Sequence, residues 1–178
     1  ETDSARRDFT INAMAIAINQ KNFGDLYDPF NGLQDLKSKL IRTPLDPVET
    51  FSEDPLRMMR AVRFAAQLQF HVDEECLDAI QKERERLEIV SQERITTELL
   101  KIMATEVPSV GLHLLHRTHL LEIILPELQK MEGIEEIEGY HHKDVLMHTF
   151  KVVDNVADMS HKVELRLAAL LHDIGKPK

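Results

Sequence analysis

From Ser52 onward, apolar residues recur at spacings of three and four, which is the pattern of amphipathic helices. The recurring positions are Leu56, Met59, Val62 and Ala66, then Leu77, Ile80 and Leu87, then Ile95, Leu99, Ile102 and Met103. Breaks fall at 70–73, 106–109 and 125–128, and an acidic run occupies 132–139. We therefore predict helices throughout this part, with the acidic run as a solvent-exposed helix or loop.

The segment before these helices has a different pattern. Residues 9–42 are rich in β-branched and small apolar residues and are interrupted by the turn-forming sequence NFGDLYDPFNG. This pattern predicts strands near 14–19, 24–28 and 39–43 and a short helix near 33–38. The fold class that follows is mainly α, with a small α+β portion at the amino end.

Composition narrows the class of protein. Of the 178 residues, 43% are hydrophobic and 30% are charged, as in a soluble globular protein. Cys76 is the single cysteine, which excludes an internal disulfide and a cysteine-based metal cage. No apolar run approaches the roughly 20 residues of a membrane span, and the first residues lack the apolar core of a signal peptide. We therefore expect a cytoplasmic protein without membrane contact, and we expect both ends to be internal to a longer chain.

Charge is unevenly distributed along the chain. A net charge of −9 argues against a protein that coats nucleic acid with its whole surface. Basic residues nevertheless cluster in the early part of the chain, at Lys37, Lys39, Arg42, Arg57, Arg60 and Arg63. We expect an anionic ligand to bind there.

The stretch SEDPLRMMRAVRF at 52–64 carries three of these arginines in a helical pattern. Ser52 suits the N-cap of a helix, and Glu53, Asp54 and Pro55 suit its first turn. At ~100° per residue, the arginines at 57, 60 and 63 sweep an arc of about 120°, away from the apolar face. One interpretation of this arc is a solvated face of surface ion pairs.

A second interpretation is base recognition. A carboxylate only accepts hydrogen bonds and a guanidinium only donates them, so Asp54 beside Arg57 matches an amino donor next to a ring-nitrogen acceptor. Cytosine and adenine present that edge, whereas uracil and guanine present an oxygen beside a ring N–H. Each such bidentate contact discriminates by ~1–3 kcal/mol. The pair therefore favours C and A.

Five stretches of this chain occur together in one known family. They are RRDFTINAMA at 6–15, DPFNGLQDL at 28–36, EDPLRMMRAVRFA at 53–65, ERITTELLKIM at 93–103 and LLEIILPEL at 120–128. In order and spacing they resemble the bacterial CCA-adding tRNA nucleotidyltransferase and poly(A) polymerase family of class II. The resemblance implies that a protein template selects C and A from CTP and ATP for addition to the 3′ end of tRNA.

The resemblance also assigns roles to individual residues. It implies that Asp54 and Arg57 read the incoming base, that Arg60 and Arg63 contact the nucleotide, and that Arg7 lies near the ribose and triphosphate. Supporting roles fall to three further residues, Glu53, Arg6 and Asp8.

The metal-binding carboxylates of this family do not occur here. Nucleotide transfer in the family depends on two Mg²⁺ ions held by a D-x-D pair, and no D-x-D occurs in the chain. The family places that pair upstream of RRDFT. We therefore expect that the 178-residue chain does not catalyse nucleotide addition by itself.

Eight of the nine histidines follow position 112. Those at 113, 116 and 119 spread over about 120° of a helix, too wide an arc for one ion, so we interpret them as ordinary helix residues. His148 with the adjacent His172 and Asp173 instead resembles the HD phosphohydrolase signature, whose further aspartate lies downstream. Two imidazoles and a carboxylate suit a divalent transition metal. A vestigial structural role for these three residues stays open.

Several hypotheses about function follow from these motifs. The leading one is part of a CCA-adding enzyme: the end of the nucleotidyltransferase head at 1–50, a helical neck and body that binds nucleotide and RNA at 51–130, and the start of an HD domain at 131–178. The alternatives are a poly(A) polymerase, a metal-dependent phosphohydrolase of HD type, and a helical RNA-binding module without base choice.

Overall fold

The computed structural model describes residues 2–138 and 141–177. Its amino-terminal part contains helix α1, a 3-10 turn, a two-stranded antiparallel hairpin, helix α2 and strand β3. Their bounds are Thr2–Ala5 for α1, Thr10–Asn12 for the turn, Ala15–Ile16 for β1, Leu26–Tyr27 for β2, Gly32–Ser38 for α2 and Leu40–Ile41 for β3.

Helices dominate the rest of the chain. They are α3 Pro47–Glu53, α4 Leu56–Leu68, α5 Glu74–Glu83, a 3-10 helix Arg84–Ile89, α6 Gln92–Met103, α7 Pro108–Arg117, α8 Leu120–Ile124, α9 Pro126–Gln129, α10 Val145–Met159 and α11 Val163–Leu171. The strands are β4 His71–Val72, β5 Glu135–Glu138 and β6 His141–Asp144. Helices thus dominate the described residues and the strands are few and short, which confirms the mainly α fold class.

The strand predictions need correction. The predicted strands near 14–19, 24–28 and 39–43 shorten to two residues each, whereas the helix near 33–38 is confirmed by α2. The expectation of helices alone after Ser52 is wrong at β4, because its backbone pairs in parallel with β3: the His71 amide donates to the Lys39 carbonyl at 2.8 Å. A pairing between segments 30 residues apart leaves no signal in local periodicity.

The acidic run also differs from its prediction. Residues 135–138 form β5, which pairs antiparallel with β6, rather than a helix or free loop. The register places Glu136 opposite Lys143. Position 139, the last of the run, lies outside the described residues.

The helix that carries the arginines begins later than the sequence predicted. Ser52 is not its N-cap but lies inside α3, which Asp46 caps by accepting a hydrogen bond from the Glu49 amide at 2.9 Å. Asp54 has an extended backbone, with φ −137° and ψ 94°, because a following proline disfavours the helical region. Pro55 therefore separates α3 from α4, which starts at Leu56.

The apolar face predicted for α4 is confirmed. Leu56, Met59, Val62 and Ala66 are all buried, in a core that runs from Phe9 through α4 to α10 and α11. α4 packs mainly against α6 and α7. Burial of a full Met or Val side chain contributes about 1.5–3 kcal/mol, so this face fixes the rotation of α4 about its axis.

A polar network joins the 3-10 turn, helix α2 and the residue that follows β3. Thr10 Oγ1 donates to Asp35 at 2.6 Å, and Arg42 Nη2 donates to the same carboxylate at 2.6 Å. A Cβ on Gly32 would lie 2.2 Å from the Thr10 carbonyl oxygen, so only glycine permits this approach. Asp28, in the turn sequence DPFNG, caps α2 by accepting from the Gly32 amide at 2.7 Å.

One buried arginine joins the last helices to the body. Arg166, on α11, is 2% exposed and donates to the carbonyls of Met103 at 2.7 Å and Thr105 at 2.8 Å, beyond the end of α6. It also donates to the carbonyls of Ala157 and Ser160 at the end of α10. α10 and α11 are thus held in one orientation against α6.

No helix among the described residues is long and apolar enough to cross a membrane.

Candidate nucleotide-binding and metal-binding sites

Asp54 lies at the junction of α3 and α4, where its side chain is 37% exposed. Its Oδ1 accepts a hydrogen bond from the Leu56 amide at 3.3 Å and lies 3.6 Å from Nη2 of Arg94 on α6. Both contacts use Oδ1, so within the described part of the chain Oδ2 is left without a hydrogen bond. The carboxylate is thus held at one oxygen and available at the other.

Arg57 contacts the amino-terminal segment. Its Nη2 donates to the Arg6 carbonyl at 2.6 Å, and its Nη1 donates to the Thr50 carbonyl at 3.4 Å, a long and therefore weak hydrogen bond. Glu53 lies 3.8 Å from Nη1. Asp54 and Arg57 therefore have different protein partners, the first on α6 and the second in the segment before the 3-10 turn.

Arg60 extends the contact between α4 and the amino-terminal segment. Both Nε, at 2.9 Å, and Nη2 donate to Oδ2 of Asp8, which is 8% exposed. The other oxygen of Asp8 accepts from the Phe9 amide and from the Asn12 side chain. Asp8 is therefore a positioning partner of Arg60, whereas the Arg7 side chain forms an exposed ion pair with Asp3 at 3.0 Å.

Arg63 lies in the interior between α4 and α6. Its Nε is 2.6 Å from Glu98 Oε2, the two side chains are 10% and 4% exposed, and its guanidinium lies 3.8 Å from the Phe64 ring centroid. Lys101 approaches the other oxygen of Glu98 at 2.8 Å. Arg63 thus has protein partners, but it also lines a surface cavity with Gln67 and Lys101. Its predicted contact with the nucleotide stays a prediction.

Sequence reasoning assigned no role to Arg94 and Glu98. The two residues are four apart on α6, hence on one face. Arg94 contacts Asp54 at the junction of α3 and α4, and Glu98 contacts Arg63 on α4. Both belong to the stretch ERITTELLKIM, whose acidic and basic residues at this spacing were the available signal.

The three residues of the HD-like signature come together at the contact of α10 and α11. The ligand atoms of His148, His172 and Asp173 all lie within 4.8 Å of one another. His172 Nδ1 lies 2.7 Å from the Ala169 carbonyl, which can only accept, so Nδ1 carries the hydrogen. In the neutral ring Nε2 is then an acceptor, and it faces Asp173 Oδ2 at 3.1 Å. Lys176 Nζ approaches the same Oδ2 at 2.9 Å. The three ligand atoms are of the types that hold a divalent transition metal.

The histidines of α7 and its end have other neighbours. His113 packs edge-on against Phe150 with ring centroids 5.0 Å apart, His116 lies 3.0 Å from Glu132, and His119 lies 2.6 Å from Glu122. Burial lowers the pKa of His113 below its usual 6.5, against the raising effect of Asp154. Among the described residues, these histidines do not join a ligand cluster.

Three family models match successive parts of the chain. The poly A polymerase head domain matches residues 1–42, the probable RNA and SrmB-binding site of polymerase A matches residues 69–131, and the HD domain matches residues 145–178. The chain belongs to the bacterial CCA-adding tRNA nucleotidyltransferase and poly(A) polymerase family. The family resemblance recognised in the sequence is thereby confirmed, while α4 itself falls between the matched ranges.

Individual family members are similar over most of the chain. The multifunctional CCA protein of Vibrio cholerae is 38% identical over 99% of the chain, and the chain spans 43% of that relative's length. The Bacillus stearothermophilus CCA-adding enzyme in complex with CTP is 35% identical, with a TM-score of 0.65, covering 72% of the chain and 32% of that structure. A tRNA nucleotidyltransferase complexed with a primer tRNA and an incoming ATP analog is 31% identical, with a TM-score of 0.72, covering 96% and 49%.

Proposed function

We propose that the chain contributes the base-selecting helix and the RNA-contacting helices of an enzyme that adds C and A, from CTP and ATP, to the 3′ end of tRNA in the cytoplasm. The observation that carries this proposal is the junction of α3 and α4, where the acceptor Asp54 and the donor Arg57 lie three residues apart. Relatives of similar fold bind CTP, or a primer tRNA with an ATP analog, which supports the same substrates here.

The proposed recognition uses one atom of each side chain. Asp54 Oδ2 accepts from the exocyclic amino group of cytosine or adenine, since Oδ1 is already engaged. Arg57 Nη1 donates to the adjacent ring nitrogen and gives up its 3.4 Å hydrogen bond to the Thr50 carbonyl. The shorter bond from Nη2 to the Arg6 carbonyl keeps the guanidinium in place. Uracil and guanine would set donor against donor at Arg57 and acceptor against acceptor at Asp54.

The neighbouring charges have separate roles in this proposal. Arg60 is held by Asp8 at the edge of the same surface and, with the exposed Arg7, adds positive charge for the phosphates of the nucleotide. Glu53 and Arg6 orient Arg57. Arg63, buried against Glu98, fixes α4 on α6 and is left out of the proposed nucleotide contacts.

The magnesium chemistry of the family does not fit the residues of this chain. A pair of carboxylates spaced as D-x-D does not occur in it, so we derive no transfer step from its residues. We expect the chain to bind CTP and ATP without incorporating either into tRNA.

Equilibrium binding of the four nucleoside triphosphates tests the proposal. We expect CTP and ATP to bind the 178-residue chain about tenfold more tightly than UTP and GTP, the equivalent of ~1.4 kcal/mol. Asp54→Ala should chiefly erase this preference, whereas Asp78→Ala, at an exposed position of α5, should leave it unchanged. Equal affinity for all four nucleotides, or a preference that survives Asp54→Ala, would contradict the proposal.

The same measurement separates the alternatives. If the enzyme adds only A, the chain should bind ATP but not CTP. A module that contacts phosphates without base choice predicts that Arg57→Ala weakens all four nucleotides uniformly and flattens the dependence on salt. Base selection predicts that Arg57→Ala weakens CTP and ATP more than UTP and GTP.

We also propose that His148, His172 and Asp173 hold a divalent transition metal, as in a phosphohydrolase of HD type. The convergence of three ligand atoms within 4.8 Å, two from imidazoles and one from a carboxylate, supports such an ion. When bound, such a metal polarises phosphoryl oxygens and activates water. Residues of this chain orient the ligand side chains. The Ala169 carbonyl fixes the tautomer of His172, and α10 places the His148 ring near that of His172.

Metal titration tests this second proposal. We expect calorimetry with Mn²⁺ to show one site in the chain, and Asp173→Asn to weaken binding by on the order of a hundredfold through loss of a charged ligand. Asp158→Asn removes an exposed carboxylate from the same helix pair and should leave Mn²⁺ affinity within about twofold. Equal Mn²⁺ affinity in the unsubstituted chain and in Asp173→Asn would contradict the assignment of Asp173 as a metal ligand.

A further inference from the structure

A cavity of about 350 Å³ borders the metal triad. Within the described part of the chain it is lined by Asp144, Met147, His148 and Lys151. His148 belongs both to this cavity and to the triad, so a molecule in the cavity lies beside the proposed metal. The volume is large enough for a phosphate group with a small substituent.

Lys151 supplies the positive charge of this cavity. It follows His148 by three residues on α10, which places both side chains on one face of the helix. Its side chain is exposed and forms no hydrogen bond or ion pair with the described residues. By contrast, Lys176 lies 2.9 Å from Asp173 Oδ2 and so neutralises a proposed metal ligand.

The carboxylate of Asp144 does not cancel this charge. Its Oδ1 accepts from the Met147 amide at 2.9 Å and caps α10, and its Oδ2 accepts from the Gly133 amide at 2.6 Å. Both oxygens therefore serve backbone donors, and their negative charge is partly compensated by the N-terminus of the helix. The ammonium of Lys151 stays available to a ligand.

We propose that Lys151 is the phosphate-binding residue of the triad site, and that the cavity takes inorganic phosphate or a phosphate monoester. A divalent metal and an ammonium group on the same side of a small cavity attract a dianion, and phosphate offers oxygens to both. This inference rests on the metal site proposed above and adds to it the residue that binds the phosphate.

Phosphorus-31 relaxation of added phosphate, measured with Mn²⁺ bound to the chain, tests this role. Bound Mn²⁺ broadens the phosphorus signal of phosphate held near it much more than that of distant phosphate. With free Mn²⁺ kept negligible, the titration therefore reports binding near the metal. We expect Lys151→Gln to weaken phosphate three- to tenfold, as loss of one charge-assisted contact on an accessible surface. Lys151→Arg should restore affinity to within about twofold, and Lys162→Gln, an exposed lysine at the start of α11, should not change it.

A second titration with phenyl phosphate distinguishes the two ligand sources. Tighter binding of phenyl phosphate than of inorganic phosphate assigns the site to monoesters, and the reverse order assigns it to the free anion. If the unsubstituted chain and Lys151→Gln, both with Mn²⁺ bound, had equal affinity for phosphate, the role of Lys151 would be overturned while the metal site would stand. Failure of the unsubstituted chain to bind Mn²⁺ would overturn both the metal site and this inference.

Discussion

Two groups of charged side chains, each formed by residues from two helices, differ in composition. One is an ion pair between protein groups, and the other is a set of potential metal ligands. Arg63 on α4 and Glu98 on α6 form a buried ion pair, with side chains 10% and 4% exposed. His148 on α10 joins His172 and Asp173 after α11, where the ring of His172 is 36% exposed and acceptor atoms face one another. The first group sets a guanidinium against a carboxylate at 2.6 Å, although Arg63 Nε and Glu98 Oε2 form no well-directed hydrogen bond. The second group gathers atoms that can ligate a metal ion.

This difference separates a structural contact from a ligand site. In a buried ion pair each charge compensates the other, and removal of either partner leaves a charge in the interior. Convergent acceptors are unfavourable unless a cation joins them. Substitutions in the two groups should therefore affect different measurements, the free energy of unfolding for the pair and its dependence on metal for the triad.

The largest effect on stability is expected for Glu98→Gln. The substitution keeps the shape of the side chain but leaves the Arg63 charge uncompensated, which should lower the free energy of unfolding by about 3 kcal/mol in urea denaturation. Glu93→Gln, at an exposed position of the same helix, should change it by less than about 0.5 kcal/mol. The double variant Arg63→Met with Glu98→Leu should recover most of the loss. A loss below about 1 kcal/mol for Glu98→Gln would mean that the pair is not the main contact between α4 and α6.

Metal should stabilise the triad by a similar amount. At a free Mn²⁺ concentration a hundred times its dissociation constant, we expect a gain of about 2.7 kcal/mol in the free energy of unfolding. His148→Gln should remove this gain and should change stability little without metal. If Mn²⁺ stabilised the chain and His148→Gln equally, the comparison between the two groups would fail.

An intermediate effect is expected for Asp8→Asn. Asp8 is 8% exposed and its partner Arg60 is 33% exposed, so the pair is only partly shielded from water. Loss of its charge-assisted hydrogen bonds should lower the free energy of unfolding by about 1–2 kcal/mol. The matched control is Asp3→Asn, whose pair with Arg7 is exposed on both sides and should contribute less than about 0.5 kcal/mol. Equal losses would show that burial does not set the strength of these pairs.

The smallest effect is expected from the pH dependence of His113. Burial lowers its pKa in the folded protein, so below about pH 6.5 the unfolded chain binds this proton more readily than the folded one. The contribution of His113 to stability is therefore complete above that pH and is lost as pH falls toward the lower pKa of the folded state. Unfolding at pH 7.5 and 5.5 should show a smaller decrease for His113→Gln than for the unsubstituted chain. An equal loss of unfolding free energy in both proteins would mean that a group other than His113 causes the pH dependence.

Local patterns predicted some features because their physical cause is local. The apolar face of α4 was predictable because burial of Met59 and Val62 follows from a repeat of 3.6 residues. The start of that helix was not, because only the structure shows that Asp46 caps a separate helix, α3, which contains Ser52 and ends before Pro55. The pairing of β3 with β4 and the Arg63–Glu98 contact join residues about 30 or more apart, and no local spacing encodes them.

The candidate sites divide in the same way. The triad combines an adjacent pair, His172 and Asp173, with one histidine a helix away, so residue type and order suffice to propose it. For the three arginines of α4, the sequence determined their spacing on the helix but not their partners. Tertiary structure decided that Arg57 and Arg60 contact the amino-terminal segment and that Arg63 lies inside, because partner choice depends on which surfaces packing brings together.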